Sequence, residues 1–282
     1  MNKNDSLIEA HYAHDHLYET IVQALAGAGI TAKDITRRDI APIDEFHVRG
    51  QEVSRELAAA AGLQPGMRIL DAGCGLGGAC RMLADEYGCD VTGIDITGDY
   101  IRTAQQLSAL TGLQHATRFV QGSVIALPFN NNIFDIVWTQ HVQMNIADKK
   151  TLYAEIQRVL TPGGRFIYYD ILSNEHLPVH YPVPWASNAD LSFLITSQQL
   201  HTLLHEAGFQ RIQVKEETGK GIAFFKNLFN RIAQKGLPAL GLHLLMGDNA
   251  LEKLNNLHKN LTENRIILES GIYEKMAFSR PS

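Results

Sequence analysis

Residues Ile69-Leu70-Asp71-Ala72-Gly73-Cys74-Gly75-Leu76-Gly77-Gly78 constrain this chain more than any other stretch. An apolar strand runs into a glycine-rich turn, and a helix-forming segment, Cys80-Arg81-Met82-Leu83-Ala84, follows. Glycines let the backbone at such a turn come close to a ligand. The helix that starts there presents free N–H groups and the positive end of its dipole. A second apolar stretch, Val91-Thr92-Gly93-Ile94-Asp95, closes on a carboxylate that can accept hydrogen bonds from both hydroxyls of a ribose. Strand, glycine turn, helix, strand and acid form the nucleoside-binding half of a doubly wound sheet.

The rest of the chain keeps the same rhythm. Strands are expected at 67–72, 89–95, 117–121, 134–139 and 165–171, with helices between them, notably at 99–110 and 149–160. Such alternation calls for a parallel sheet covered on both faces. Ahead of it, Leu17, Ile21 and Leu25 keep a helical period that Gly27 and Gly29 end, and a second helix is expected at 50–61. Residues 174–194 break the pattern with Pro178, Pro182 and Pro184, and a loop of that length is expected to be functional, as a lid. A helix at 197–207 and a strand at 211–216 resume the sheet. Residues 221–261 suggest an inserted helical pair broken at Leu237-Pro238, and 266–278 the last strand. The division expected is an N-terminal helical segment, 1–63, and a domain, 64–282, with insertions at 174–194 and 221–261.

Composition narrows the class. The chain has 282 residues, 45% hydrophobic and 20% charged, with a net charge of −5 and no long basic run. That balance suits a soluble globular protein and gives no footprint for nucleic acid. No apolar stretch is long enough to span a bilayer and the N-terminus is polar, so the expected location is cytoplasmic. Three cysteines, Cys74, Cys80 and Cys89, form no disulfide or zinc pattern. His11, His14 and His16 lack an acidic or cysteine partner at metal-ligand spacing, so no metal is expected.

Four modules in order carry a resemblance: Asp71-x-Gly73-x-Gly75-x-Gly77; Asp95; Leu127-Pro128-Phe129 ahead of Phe134-Asp135-Ile136-Val137; and Arg158-Val159-Leu160-x-Pro162-Gly163-Gly164. Together they resemble class I S-adenosylmethionine-dependent methyltransferases. The likeness is to the small-molecule branch that includes sarcosine/dimethylglycine, sterol, tocopherol and ubiquinone-pathway enzymes. It implies an α/β fold with a Rossmann-like, doubly wound, seven-stranded sheet whose last strand runs antiparallel between the fifth and sixth. N-terminal helices and a helical cap would flank it. Gly73, Gly75 and Gly78 also satisfy the dinucleotide fingerprint. An NAD(P)-dependent oxidoreductase is therefore the alternative, with a non-catalytic nucleotide-binding protein beside it. Asp71 argues against a dinucleotide: a carboxylate is unwelcome beside a pyrophosphate but can hold an ammonium group.

The resemblance also implies roles. Gly73, Cys74 and Gly75 would line the methionyl end of the cofactor, S-adenosylmethionine, with Asp71 at its ammonium group. Asp95 would hold the ribose, and Ile96 would pack on the adenine. Gly122-Ser123-Val124 follows the third strand, with Ser123 where many relatives carry Asp. Gln140 and His141 would stand beside the sulfonium. His141 is the candidate base, because a histidine at the end of strand four suits proton removal at neutral pH. His47, His180, Tyr181 and Trp185 are the candidate substrate contacts. The partner expected is a small-molecule methyl acceptor, such as an amine, hydroxyl or activated carbon; a homodimer is left open. No Asn/Asp-Pro-Pro-Tyr motif follows strand four, which counts against methylation of nucleobase amino groups.

Overall fold

The computed structural model describes residues 3–13, 16–31, 35–174 and 177–276. Four helices come first: α1 (Lys3–Tyr12), α2 (Leu17–Gly27), α3 (Arg37–Asp44) and α4 (Gln51–Ala61). The sheet then starts with β1 (Arg68–Ala72), α5 (Gly78–Tyr87), β2 (Asp90–Asp95), α6 (Gly98–Leu110) and β3 (Thr117–Gln121). Next come β4 (Phe134–Gln140), α7 (Lys149–Val159), β5 (Leu160–Ser173), α8 (Ser197–Glu206) and β6 (Phe209–Glu216). An inserted trio, α9 (Thr218–Lys235), α10 (His243–Met246) and α11 (Ala250–Thr262), precedes β7 (Ile266–Lys275).

The seven strands lie in the order β3-β2-β1-β4-β5-β7-β6. Pairs from β3 to β5 are parallel, and β7 runs antiparallel to both β5 and β6. This is the sheet that the family resemblance implies, with β7 between β5 and β6. Strand order reverses around β1, which lies between β2 and β4, so the carboxyl ends of these strands open a crevice at the switch point.

Alternation within the strands fills both faces. Ile69, Trp138 and Ile167 point into one apolar cluster, which α4, α5 and α11 cover. Their neighbours Leu70, Val137 and Phe166 point into the other, which α7 and α8 cover. A third cluster joins Leu17, Ile21 and Leu25 of α2 to Ile40 and Ile43 of α3, to Leu76 of the glycine turn and to Leu107 of α6. Burial of these apolar side chains, at about 1.5–3 kcal/mol each, fastens the N-terminal helices to the sheet domain next to the crevice.

Some boundaries differ from expectation. Helix α3 was not anticipated: it is short, holds Pro42, and starts where Asp39 accepts from the Thr36 N–H at 2.8 Å. Strand β5 is longer at both ends than the expected 165–171: Leu160 pairs with Phe134 of β4 at its start, and β7 pairs along it from Arg165 to Ser173. The insertion holds three helices rather than two and starts at Thr218. The expected last strand extends to residues 277 and 278, which lie outside the described residues.

Candidate active site

Glycine conformations build the turn. Gly73 (φ +85°) and Cys74 both donate their N–H to the Ile94 carbonyl, at 2.7 and 3.0 Å, which bends the chain after β1. A Cβ on Gly73 would lie 2.4 Å from Cγ2 of Val142, so Gly73 lets the segment after β4 pack closely. Gly75 (φ +52°) differs, since a Cβ there would meet nothing within 4 Å. Its open side belongs to a cavity of about 780 Å³ that it helps to line.

Every residue expected at the cofactor lines this cavity. Asp71, Gly73, Cys74 and Gly75 come from β1 and its turn, and Asp95 and Ile96 from the end of β2. Gly122, Ser123 and Val124 follow β3, and Gln140 ends β4. Asp95 is already engaged: Oδ2 accepts from the Gly75 N–H at 3.0 Å and Oδ1 from the Thr97 N–H at 2.9 Å. Burial raises its pKa, and these hydrogen bonds oppose the rise. Asp71 is buried at the end of β1, where its Oδ2 accepts from the Cys80 thiol at 3.2 Å. Burial pushes Asp71 up to about 7. The same effect raises the Cys74 thiol to about 11, so it is no nucleophile at neutral pH.

His141 stands at the same end of the sheet, with φ +52°. Three backbone N–H groups are held at its turn: His141 N–H donates to the Tyr169 carbonyl at 2.8 Å, and the Val142 and Gln143 N–H groups donate to the Asp170 side chain at Oδ2, at 3.2 and 2.9 Å. Its Nε2 is buried and has no hydrogen-bond partner among the described residues. Burial, helped by nearby His47, lowers its pKa well below the usual 6.5, so the ring is neutral at neutral pH. His47 also lines the cavity, and its Nε2 lies 2.9 Å from Glu45 Oε2. Glu45 accepts from Ser54 Oγ at 2.8 Å, and Ser54 in turn bonds the Gln140 amide. The Trp138 indole N–H donates to Gln140 Oε1 at 2.9 Å, which fixes that amide's orientation. Glu45 Oε1 is buried and unpartnered among the described residues, a latent acceptor at the cavity wall.

The four expected substrate contacts separate. His47 and Trp185 line the cavity; His180 and Tyr181 do not. Helix α11 and the residue after it capture His180 instead: Asn260 bonds its backbone N–H and carbonyl, and Glu263 Oε2 meets its Nε2 at 2.8 Å. Trp185 is 1% exposed, and its indole N–H donates to Ser192 Oγ at 3.0 Å. Sequence inspection missed Glu45, Ser54, Asp170 and the three-helix wall. Among the described residues no group of three or more His, Cys, Asp or Glu is arranged to hold a metal ion. His14 lies outside the described residues.

Known proteins share this architecture. A sarcosine/dimethylglycine N-methyltransferase of Halorhodospira halochloris is 28% identical over 166 residues, 59% of this chain and 60% of that protein. A sterol 24-C-methyltransferase of Gibberella zeae is 37% identical over 119 residues, 42% of this chain and 31% of that protein. The chain thus spans less than two thirds of either relative. The crystal structure of geranyl diphosphate C-methyltransferase from Streptomyces coelicolor, solved with S-adenosyl-L-homocysteine bound, superposes with a TM-score of 0.72. That match covers 98% of this chain and 99% of the other at 14% identity, and it establishes the shared fold. A family model described as a methyltransferase domain matches residues 63–208, from the segment between α4 and β1 through α8. Because that match takes in more than half of the chain, with the glycine turn and strands β1 to β5, the protein belongs to the methyltransferase-domain family.

Proposed function

We propose that this chain transfers a methyl group from S-adenosylmethionine to a small-molecule acceptor. The observation that carries the proposal is the continuity of one cavity. It runs from the glycine turn and Asp95, past His141, to an apolar wall built by α9, α10 and α11. Its volume of about 780 Å³ is within the range of pockets for small ligands, roughly 300–1,000 Å³. When bound, S-adenosylmethionine supplies an electrophilic methyl group on a sulfonium. The residues fit such a group: Gly75 leaves its Cβ space open, and Asp71 offers a carboxylate where a cationic ammonium needs one. That same carboxylate speaks against a dinucleotide pyrophosphate there.

The chain's own contribution is alignment, desolvation and proton handling. Asp95 accepts the ribose hydroxyls while it holds Gly75, and Ile96 covers the adenine. Ser123 provides a neutral acceptor for the adenine amino group, weaker than the carboxylate many relatives use there. Gln140 is locked by Trp138 and Ser54, so its position is set before the acceptor enters. Neutral His141 can accept a proton from a hydroxyl or orient an amine that arrives neutral. Calorimetry and a turnover panel test this proposal. The protein should bind S-adenosylmethionine, and Asp95→Ala should weaken binding about tenfold or more, from a loss of roughly 1.5–3 kcal/mol. A metabolite panel should release S-adenosylhomocysteine with at least one acceptor. Binding of NAD in place of S-adenosylmethionine would overturn the proposal.

A further inference from the structure

The cavity continues beyond the cofactor end, and its charge changes sign along the way. Helix α9 presents one lining stripe, Phe225, Leu228, Arg231, Ile232 and Lys235, at spacings of three and four residues. Phe225 is buried, Leu228 and Ile232 are half-buried, and Arg231 and Lys235 are exposed. The cavity therefore opens toward the C-terminal end of α9. The other end of α9 is anchored next to His47. Glu217, the residue ahead of α9, accepts from Arg49 Nη1 at 3.2 Å, and a Cβ on Gly221 would lie 3.5 Å from Val48 Cγ1. From Phe225 to Lys235 the helix rises about 15 Å.

Carboxylates line the cavity from Asp5, Asp44, Glu45, Asp71 and Asp95, and Arg49, a cation beside His47, is paired with Glu52, Glu56 and Glu217. No carboxylate lines it from α9, α10 or α11, whose contribution is apolar except for Arg231, Lys235 and His243. Arg231 and Lys235 have no ion-pair partner among the described residues. An exposed cationic pair at the end of an apolar channel is matched by a ligand with an anionic group at one end of an apolar body. Resting on the methyl-transfer proposal, we infer that the acceptor is an amphiphilic anion. Its apolar body lies along α9 and α11, and its anionic group meets Arg231 and Lys235 at the mouth. Its methyl-accepting atom is at the opposite, inner end, by His141. The anionic group is a carboxylate or a phosphate monoester, both of which offer oxygens to guanidinium and ammonium donors.

Three simple amphiphiles test this assignment by calorimetry on the full chain loaded with S-adenosylhomocysteine: dodecanoate, dodecyl phosphate and dodecyltrimethylammonium, all below micellar concentration. At least one anion should bind about tenfold more tightly than the cation, and the tighter anion names the head group. R231E/K235E should reverse the preference, and R231Q/K235Q should erase it, with S-adenosylhomocysteine affinity unchanged as the check on folding. Leu228→Trp fills the channel and should block all three amphiphiles. Equal binding of anion and cation, or dodecanoate binding indifferent to Leu228→Trp, overturns the assignment and leaves the methyl-transfer proposal standing. Failure of the wild-type chain to bind S-adenosylhomocysteine overturns both.

Discussion

The imidazole of His141 stacks on the phenol ring of Tyr169, with centroids 5.2 Å apart and planes 21° from parallel. His47 meets both rings edge-on, at 6.0 Å from His141 and 6.2 Å from Tyr169. The stack fixes a ring whose backbone sits at φ +52°, a conformation that costs a non-glycine residue of order 1–3 kcal/mol. Asp170 supplies part of the compensation by accepting the Val142 and Gln143 N–H groups. His141 thus brings a strained backbone, a neutral ring and a buried, unpartnered Nε2 to the cavity wall.

His141→Ala should therefore lower turnover about 10²-fold or more if the acceptor is a hydroxyl, with cofactor affinity changed less than about threefold. A loss below about tenfold would identify an amine acceptor and a positioning role. The pH dependence has a defined sign. Burial depresses the folded-state pKa below 6.5, so above 6.5 the residue is neutral in both states and costs nothing. As pH falls below 6.5 the unfolded chain takes up the proton first, and stability drops. His141→Ala should flatten that loss, as thermal unfolding between pH 5 and 7 can show.

The glycines of the turn should fail in different ways. Gly73→Ala drives a methyl group into Val142, so the variant should be destabilised by a few kcal/mol and melt at lower temperature. At Gly75 an added Cβ meets nothing within 4 Å, so the main cost of Gly75→Val to the fold is the strain of a β-branched residue at a positive φ. Its side chain projects into the cavity, and cofactor binding should vanish from a folded protein. Calorimetry and circular dichroism on the two variants separate these outcomes. Tight binding by folded Gly75→Val would place the cofactor elsewhere.

How much of this was legible in the sequence follows from how local each signal is. The glycine turn and Asp95 were readable because a strand end, a tight turn and a helix start fall within a few consecutive residues. The sheet order followed from the alternation of strands and helices together with the family resemblance. Glu45, Ser54 and Gln140 were not readable as one network, because they come from α4, the segment ahead of it and β4, and Ser54 and Gln140 are 86 positions apart. Asp170 was hidden for a related reason: inside a continuous apolar strand it looks like an isolated acid, and its purpose appears only when β5 lies beside β4. His180 and Tyr181 were singled out because aromatic residues in a long loop suggest a substrate, and neither lines the cavity. Buried Asn260, on α11, draws that part of the loop away from the cavity.

Asp71 links cofactor binding to pH. Its folded-state pKa is raised by burial to about 7, above the unfolded value of 3.8. Its stabilising contribution is thus fully present below 3.8 and is lost as pH rises through 7. A bound ammonium or sulfonium reverses the balance, because it favours the ionised carboxylate. Affinity for S-adenosylmethionine should rise from pH 6 to pH 8 with net release of up to one proton, detectable in buffers of different ionisation enthalpy. Asp44 also lines the cavity and is raised by burial to about 6, but Arg81 holds it at 2.7 Å. Asp71→Asn isolates the effect: the proton release should disappear, and its persistence would assign it to Asp44 or another group.

The last prediction concerns closure over the site. A lid was expected at 174–194, yet the described part of that segment is well tied. Asn145 Nδ2 donates to the Trp185 and Leu191 carbonyls, both at 2.9 Å, and Lys149 Nζ donates to the Phe193 carbonyl at 2.8 Å. Asn256 and Asn260 of α11 hold Pro182 and His180. Helix α1 covers the other side with Asp5, Ile8 and Tyr12 on the cavity. Its links to the rest include Tyr12 Oη donating to Asn145 Oδ1 at 3.0 Å and His11 Nε2 at 3.2 Å from the Pro184 carbonyl. Ten residues of helix are marginal alone, so α1 depends on those contacts and on what lies beneath it. The moving part should therefore be α1, closing onto a fixed wall at 182–194. Hydrogen exchange should show slow exchange at 182–194 with or without ligand, and protection of α1 that increases when S-adenosylhomocysteine is bound. Tyr12→Phe should speed exchange of α1 and raise the KM for the cofactor about two- to fivefold, as loss of one hydrogen bond predicts. Ligand-dependent protection confined to 182–194, with α1 unchanged, would return the lid to the loop.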